Sequence, residues 1–103
     1  MNPVRYEVIY SGRVRDSFED LANRARARDV GREALAALVE IEYRLAVYPQ
    51  FGEPFRDLSI GSGVEWVGFV GPLTVRYVLL EDRREVWVVR PITLTRESGR
   101  PPG

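Results

Sequence analysis

The chain has 103 residues, 45% of them hydrophobic, and no cysteine, so it is expected to form one domain that buries about two thirds of its unfolded surface, without a disulfide framework or a thiolate metal site. All 15 basic residues are arginine and histidine is absent; proton transfer could then fall only to Asp, Glu or Tyr. Net charge is zero, which argues against general affinity for nucleic acid. The charge is uneven, however: residues 1–32 carry seven Arg against five acids, residues 33–71 two against six, and residues 72–103 six against four. Charged residues interrupt the apolar stretch of the first ten positions, and no apolar run approaches the roughly 20 residues of a membrane helix. Neither secretion nor membrane insertion is expected, and no oxidising compartment is implied.

Val4, Tyr6, Val8 and Tyr10 alternate with Arg5, Glu7 and Ile9, the period of a strand with one face on a core. Ser11-Gly12 ends it, and Ser11 suits a helix N-cap. Val14, Phe18, Leu21, Ala22 and Ala25 then lie along one stripe of a helix predicted over about 13–28. Asp29-Val30-Gly31 breaks the pattern. A second helix over about 32–47 is expected to bury Leu35, Leu38, Ile41 and Leu45 before Tyr48-Pro49 stops it. So short a turn makes the helices antiparallel neighbours. Residues 48–63, rich in Pro, Gly and Ser, show no sustained period and read as a long loop anchored by Phe51, Phe55 and Leu58. Three strands follow, Val64 to Val70, Leu73 to Leu80 and Glu85 to Pro91, whose short connections require antiparallel hairpins. Residues 95–103 read as a polar tail that frays. The expected fold is α+β, ordered β-α-α-β-β-β, with one domain over residues 1–94 and both helices on one face of the sheet.

On that arrangement Val4, Tyr6, Val8, Trp66, Val70, Val75, Tyr77 and Leu79 point inward. The other face carries Arg5, Glu7, Glu65, Thr74, Arg76 and Arg90, interleaved with Val67, Phe69 and Val78. Charged groups in mid-strand beside apolar ones suit a surface that a partner covers. The same residues also fit cross-strand ion pairs on a solvated face. Asp16, Glu19 and Asp20 suit the start of the first helix dipole, and Arg24, Arg26, Arg28 and Arg32 its end. Trp66 and Trp87 could stack on bases, although tryptophan is more often packed. Neither a metal nor a cofactor is expected.

The order strand, helical hairpin, loop and three-strand meander is accompanied by Tyr6-Glu7-Val8-Ile9-Tyr10-Ser11 leading into a helix with Leu21. Leu45 to Pro49 with Gly52 follows, and then Leu73-Thr74-Val75-Arg76-Tyr77-Val78-Leu79. Over about residues 4–94 this series resembles the RelE/ParE toxin superfamily. The resemblance implies a cytoplasmic bacterial toxin of a type II toxin-antitoxin pair, held by a small antitoxin whose C-terminal segment wraps over the sheet and helices. Some members cleave mRNA on the ribosome and others inhibit DNA gyrase. In the ribonuclease members an arginine of the third strand stabilises charge on the scissile phosphate; Thr74 takes that place here, and Tyr77 matches the strand's tyrosine. Arg76 lies on the same face as Thr74 by strand parity and could send its guanidinium into the same region. Arg56 and Arg96 stand for the family's other basic residues, and nothing after Arg90 matches its C-terminal His or Tyr.

Cleaving RNA through its own 2′-hydroxyl requires a base, an acid and cations for the developing charge. If the chain is an enzyme, it is a metal-independent mRNA endoribonuclease with Arg76 and Arg90 as phosphate clamps and Glu65 or Glu7 as base. Arg56, Thr74, Val67 and Phe69 would line the binding surface. An exposed carboxylate near its usual pKa is a weak base at pH 7. The leading expectation is a toxin that binds the ribosome with its mRNA, or gyrase. The alternative is a non-toxic, non-catalytic protein of the same fold that serves as an interaction module or homo-oligomer.

Overall fold

Ser11 turns the chain from strand to helix. In the computed structural model, which describes residues 5–60 and 63–95 with the backbone alone for 55–60, strand β1 is Glu7–Tyr10 and helix α1 is Gly12–Ala27. The Val14 amide donates to Ser11 Oγ at 3.3 Å, satisfying one of the first-turn N–H groups that a helix leaves open. At the other end Asp29 takes φ 61°. That left-handed step lets the Val30 amide reach the Ala25 carbonyl at 2.9 Å and the Asp29 amide the Arg26 carbonyl at 3.0 Å, the paired bonds of a Schellman stop. Helix α2, Gly31–Val47, then runs back.

The expected long loop is replaced by structure. Pro49–Phe51 forms a 3-10 turn, and Glu53–Ile60 forms strand β2, antiparallel to β3 (Gly63–Val70). Two register shifts, between Pro54 and Arg56 and between Arg56 and Ile60, break the alternation that would have marked a strand. Pro54 is tolerated because β2 lies at a sheet edge. Strand β4 is Leu73–Leu80, and the expected third strand divides into β5 (Glu85–Val88) and β6 (Thr93–Leu94), which pair with opposite ends of β4. Thr95, placed in the tail by the sequence, is tied by its amide to the Pro72 carbonyl at 2.8 Å; residues 96–103 lie outside those described. Strand β1 pairs with β5 in parallel, so the order is β1-β5-β4-β3-β2 in a mixed sheet. The α+β class holds, with a larger sheet than expected.

Strand parity and helix stripes meet in one core. Val14, Leu21 and Ala25 of α1 and Ala34, Ala37, Ile41 and Leu45 of α2 cluster with Val75, Tyr77, Leu79, Val86 and Val88 of the sheet. The expected inward residues Trp66, Val70, Val75, Tyr77 and Leu79 are all part of the core or packed against it, as are Tyr6 and Val8; Val4 lies outside the described residues. One expectation fails: Leu35 is 65% exposed. The buried stripe of α2 begins instead at Ala34 and Ala37, where small side chains let the helix approach the β3–β4 turn. A Cβ on Gly71, itself at φ 52°, would stand 3.4 Å from the Ala37 Cβ. Among the described residues no helix is long and apolar enough to cross a membrane.

Tyr77 ties the centre of the sheet to the end of α2. Its hydroxyl is buried and donates to the Pro49 carbonyl at 2.6 Å, while its ring stacks on Phe51 at 5.9 Å between centroids. Phe51 in turn lies under the Arg44 guanidinium and over Gly68, where a Cβ would meet the ring at 2.6 Å. Tyr77→Phe keeps the stacking but leaves that carbonyl unpaired; a loss of about 1–3 kcal/mol in urea unfolding is expected.

A second tie is at the surface. Tyr6 donates its hydroxyl to Glu81 Oε1 at 2.7 Å, and Gln50 donates to Glu81 Oε2 at 2.9 Å. Hydrogen bonds from Gln50 and Tyr6 hold the Glu81 carboxyl below the usual carboxylate range. A depressed folded pKa contributes stability above the unfolded value and loses it as pH falls through the folded one. Gln50→Ala should therefore destabilise at neutral pH and cost progressively less in acid, read from urea midpoints across that range.

Candidate functional site

Pairing of β3 with β4 places Glu65 opposite Val78, Val67 opposite Arg76 and Phe69 opposite Thr74. Residues opposite one another share a face, and this one points away from the helices. Glu65 is nevertheless only 7% exposed. Arg76 Nε stands 3.3 Å from Glu65 Oε2, and Arg90 Nε donates to the same oxygen at 3.2 Å. The three expected catalytic residues thus converge, but as an ion triad in which the carboxylate is covered by both cations.

Arg90 reaches this place because the strand breaks. Trp87 is opposite Val78 on the outer face, so an unbroken strand would turn residue 90 inward. The chain leaves strand conformation after Val88 and brings Arg90 back over β4 to Glu65. A cleft of about 300 Å³ opens there, lined by Thr74, Arg76, Arg90, Pro91 and Thr93.

The other expected residues fall into place differently. Thr74 is buried and its Oγ1 lies 3.0 Å from Thr95 Oγ1, so its hydroxyl is engaged with the residue that follows β6. Arg56 stands opposite Glu65 in the backbone register; its side chain lies outside those described. Val67 is half-buried and Phe69 is 55% exposed on the same face. Glu7 does not join them, since β5 and β4 separate β1 from β3. Arg5 is exposed ahead of β1. Trp66 packs against the core, its Nε1–H buried without a hydrogen-bond partner among the described residues, and Trp87 is half-buried and donates Nε1–H to Glu85 at 3.1 Å. Thr93, Thr95 and Pro91 belong to the site and were missed, because their positions follow from the break after Val88, which no alternation signals.

Electrostatics give little support to acid–base chemistry. Burial raises the Tyr10 hydroxyl to about 12 and lifts Tyr77 further still. The hydrogen bond to Glu81 raises Tyr6, while Glu81 itself is lowered. Each of these shifts leads away from neutrality, where a general acid or base works best. Tyr77 is fully buried and bonded to Pro49, which makes it structural. No group of potential metal ligands gathers among the described residues.

Comparison with known proteins finds no family model that matches the sequence and no curated protein that matches it significantly.

Removing the carboxylate should expose the triad's role. Glu65→Gln leaves two half-covered guanidinium groups side by side, and a loss of about 1–3 kcal/mol is expected once solvent screening of Arg90 is discounted. Arg90→Ala, which leaves Arg76 to pair with Glu65, should cost less than about 1 kcal/mol. Urea titration of both variants checks the order; the reverse order would mean that charge pairing does not hold this face together.

Proposed function

We propose that the chain has a RelE/ParE-like arrangement and is the toxin component of a toxin-antitoxin pair, acting by binding its target and not by cutting RNA. The observation that carries the second half is the triad: Arg76 and Arg90, the two cations suited to a scissile phosphate, both face Glu65 Oε2. Electrostatic catalysis depends on donors preorganised toward the charge that develops in the transition state. Here they are preorganised toward a carboxylate of the protein itself. The triad lies beside Val67 and the exposed Phe69, a mixed patch of the kind that partners cover.

The fold half of the reading is supported by element order. A leading strand, a helical hairpin and an antiparallel meander, with the first strand parallel beside β5, agree with the sequence motifs of Tyr6 to Ser11 and Leu73 to Leu79. The implied partners are a small antitoxin over the helices and sheet and, as target, the ribosome with its mRNA or gyrase. The implied location is the bacterial cytoplasm.

Induced expression in cells lacking any native neighbour gene tests this. Wild type is expected to arrest growth, with bulk mRNA uncut by primer extension. Phe69→Glu, at equal soluble expression, should relieve the arrest more than Arg76→Ala does. Normal growth with abundant soluble wild type would reject the toxin reading in favour of a non-toxic scaffold, and mRNA cleavage lost in Arg76→Ala would reject the binding-only mechanism.

A further inference from the structure

Glu65 is placed unlike an ordinary sheet-surface acid. It stands in the middle of β3 on the outer face, and yet it is buried. Ion pairs on a solvated sheet face join residues directly opposite one another, but Glu65 is opposite Val78, and Arg76 is opposite Val67. Arg76 reaches Oε2 diagonally from β4, and Arg90 comes to the same oxygen from beyond the end of β5. Cations from two separate elements thus surround one oxygen, at the wall of the cleft that Arg76 and Arg90 line with Thr93.

We propose that Glu65 is the internal occupant of an oxyanion site: its carboxylate holds the place of a phosphate group between Arg76 and Arg90, and so keeps the site closed. Donor counting supports a phosphate-type ligand. Two guanidinium groups carry about ten N–H donors, whereas an ionised carboxylate offers about four acceptor sites. Glu65 by itself does not exhaust them. The carboxylate oxygens also lie in one plane, while a tetrahedral phosphate presents oxygens on every side and can meet two planar forks that arrive from different elements. Thr93, half-buried on the cleft wall, adds a hydroxyl donor.

Self-occupation sets the affinity. An incoming anion must displace a buried carboxylate whose counter-ions are already in place, so its apparent binding is weakened in proportion to the small fraction of molecules in which Glu65 has swung away. Removing the carboxylate removes that penalty and leaves two cations facing the cleft without their shared anion.

The inference rests on the triad that carries the binding-only reading, but not on toxicity. Growth arrest and anion binding are separate readouts, so either can fail while the other stands. Inorganic phosphate is the probe, titrated against chloride at constant ionic strength so that general screening cancels. Binding is read from the Arg76 and Arg90 Nε–H signals in heteronuclear NMR spectra of the whole chain. Glu65→Ala is expected to bind phosphate at least about tenfold more tightly than wild type, with both signals moving together. Glu65→Gln, which keeps the shape and loses the charge, should shift in the same direction and serves if circular dichroism shows that Glu65→Ala does not fold. Adding Arg76→Ala and Arg90→Ala to either variant should abolish the gain. Equal phosphate affinity in wild type and the folded Glu65 variants would overturn the proposal. A gain that chloride matches, or one that survives loss of both arginines, would overturn it as well.

Discussion

A buried hydroxyl organises this fold. Tyr77 sits in the middle of β4 with no exposure, and a phenol there needs a partner or it costs the domain the penalty of an unpaired polar group. Its partner is the Pro49 carbonyl, at the point where α2 has ended and the chain must turn towards the sheet. The same tyrosine stacks on Phe51, and Phe51 fills the space above Gly68 of β3. One side chain therefore fixes where the helix layer hands over to the sheet, and which residues of β3 and β4 lie beneath the turn. The outer face inherits its register from that alignment: with Tyr77 opposite Trp66 inside, Arg76 must stand opposite Val67 outside.

Much of this was legible where a periodic signal met ordinary geometry. The stripe of α1, its Ser11 cap and the faces of β3 and β4 were all read from spacing; strand parity put Glu65 and Arg76 on one face, while their convergence rests on the β3–β4 register. The failures share a cause, which is that the deciding contact is local and small. Along α2 the expected Leu38, Ile41 and Leu45 do reach the core, but Ala34 and Ala37 are buried where Leu35 was expected. Leucine outweighs alanine in any hydrophobicity count, but the close approach of Gly71 to Ala37 favours the small residues. Strand β2 hides behind Pro54 and two bulges. Arg90 comes to Glu65 only because β5 stops short at Val88.

The ion triad explains how charge can occupy the middle of a sheet. Burying Glu65 alone would be costly, and each guanidinium offsets part of its desolvation. Arg90 is tied through a hydrogen bond and Arg76 through a charge contact on the same oxygen, so the pair draws the segment after β5 down onto β3 across β4. The arrangement closes the sheet where its last strand is broken, between β5 and β6. For phosphate to take the place of Glu65, that closure would have to open. Phe69 is left as the exposed apolar side chain beside it.

The layered architecture keeps the two apolar surfaces apart. The helices cover one face of the sheet, so the outer sheet face with Phe69 and the outer face of α2 with the exposed Leu35 and Val39 look in opposite directions.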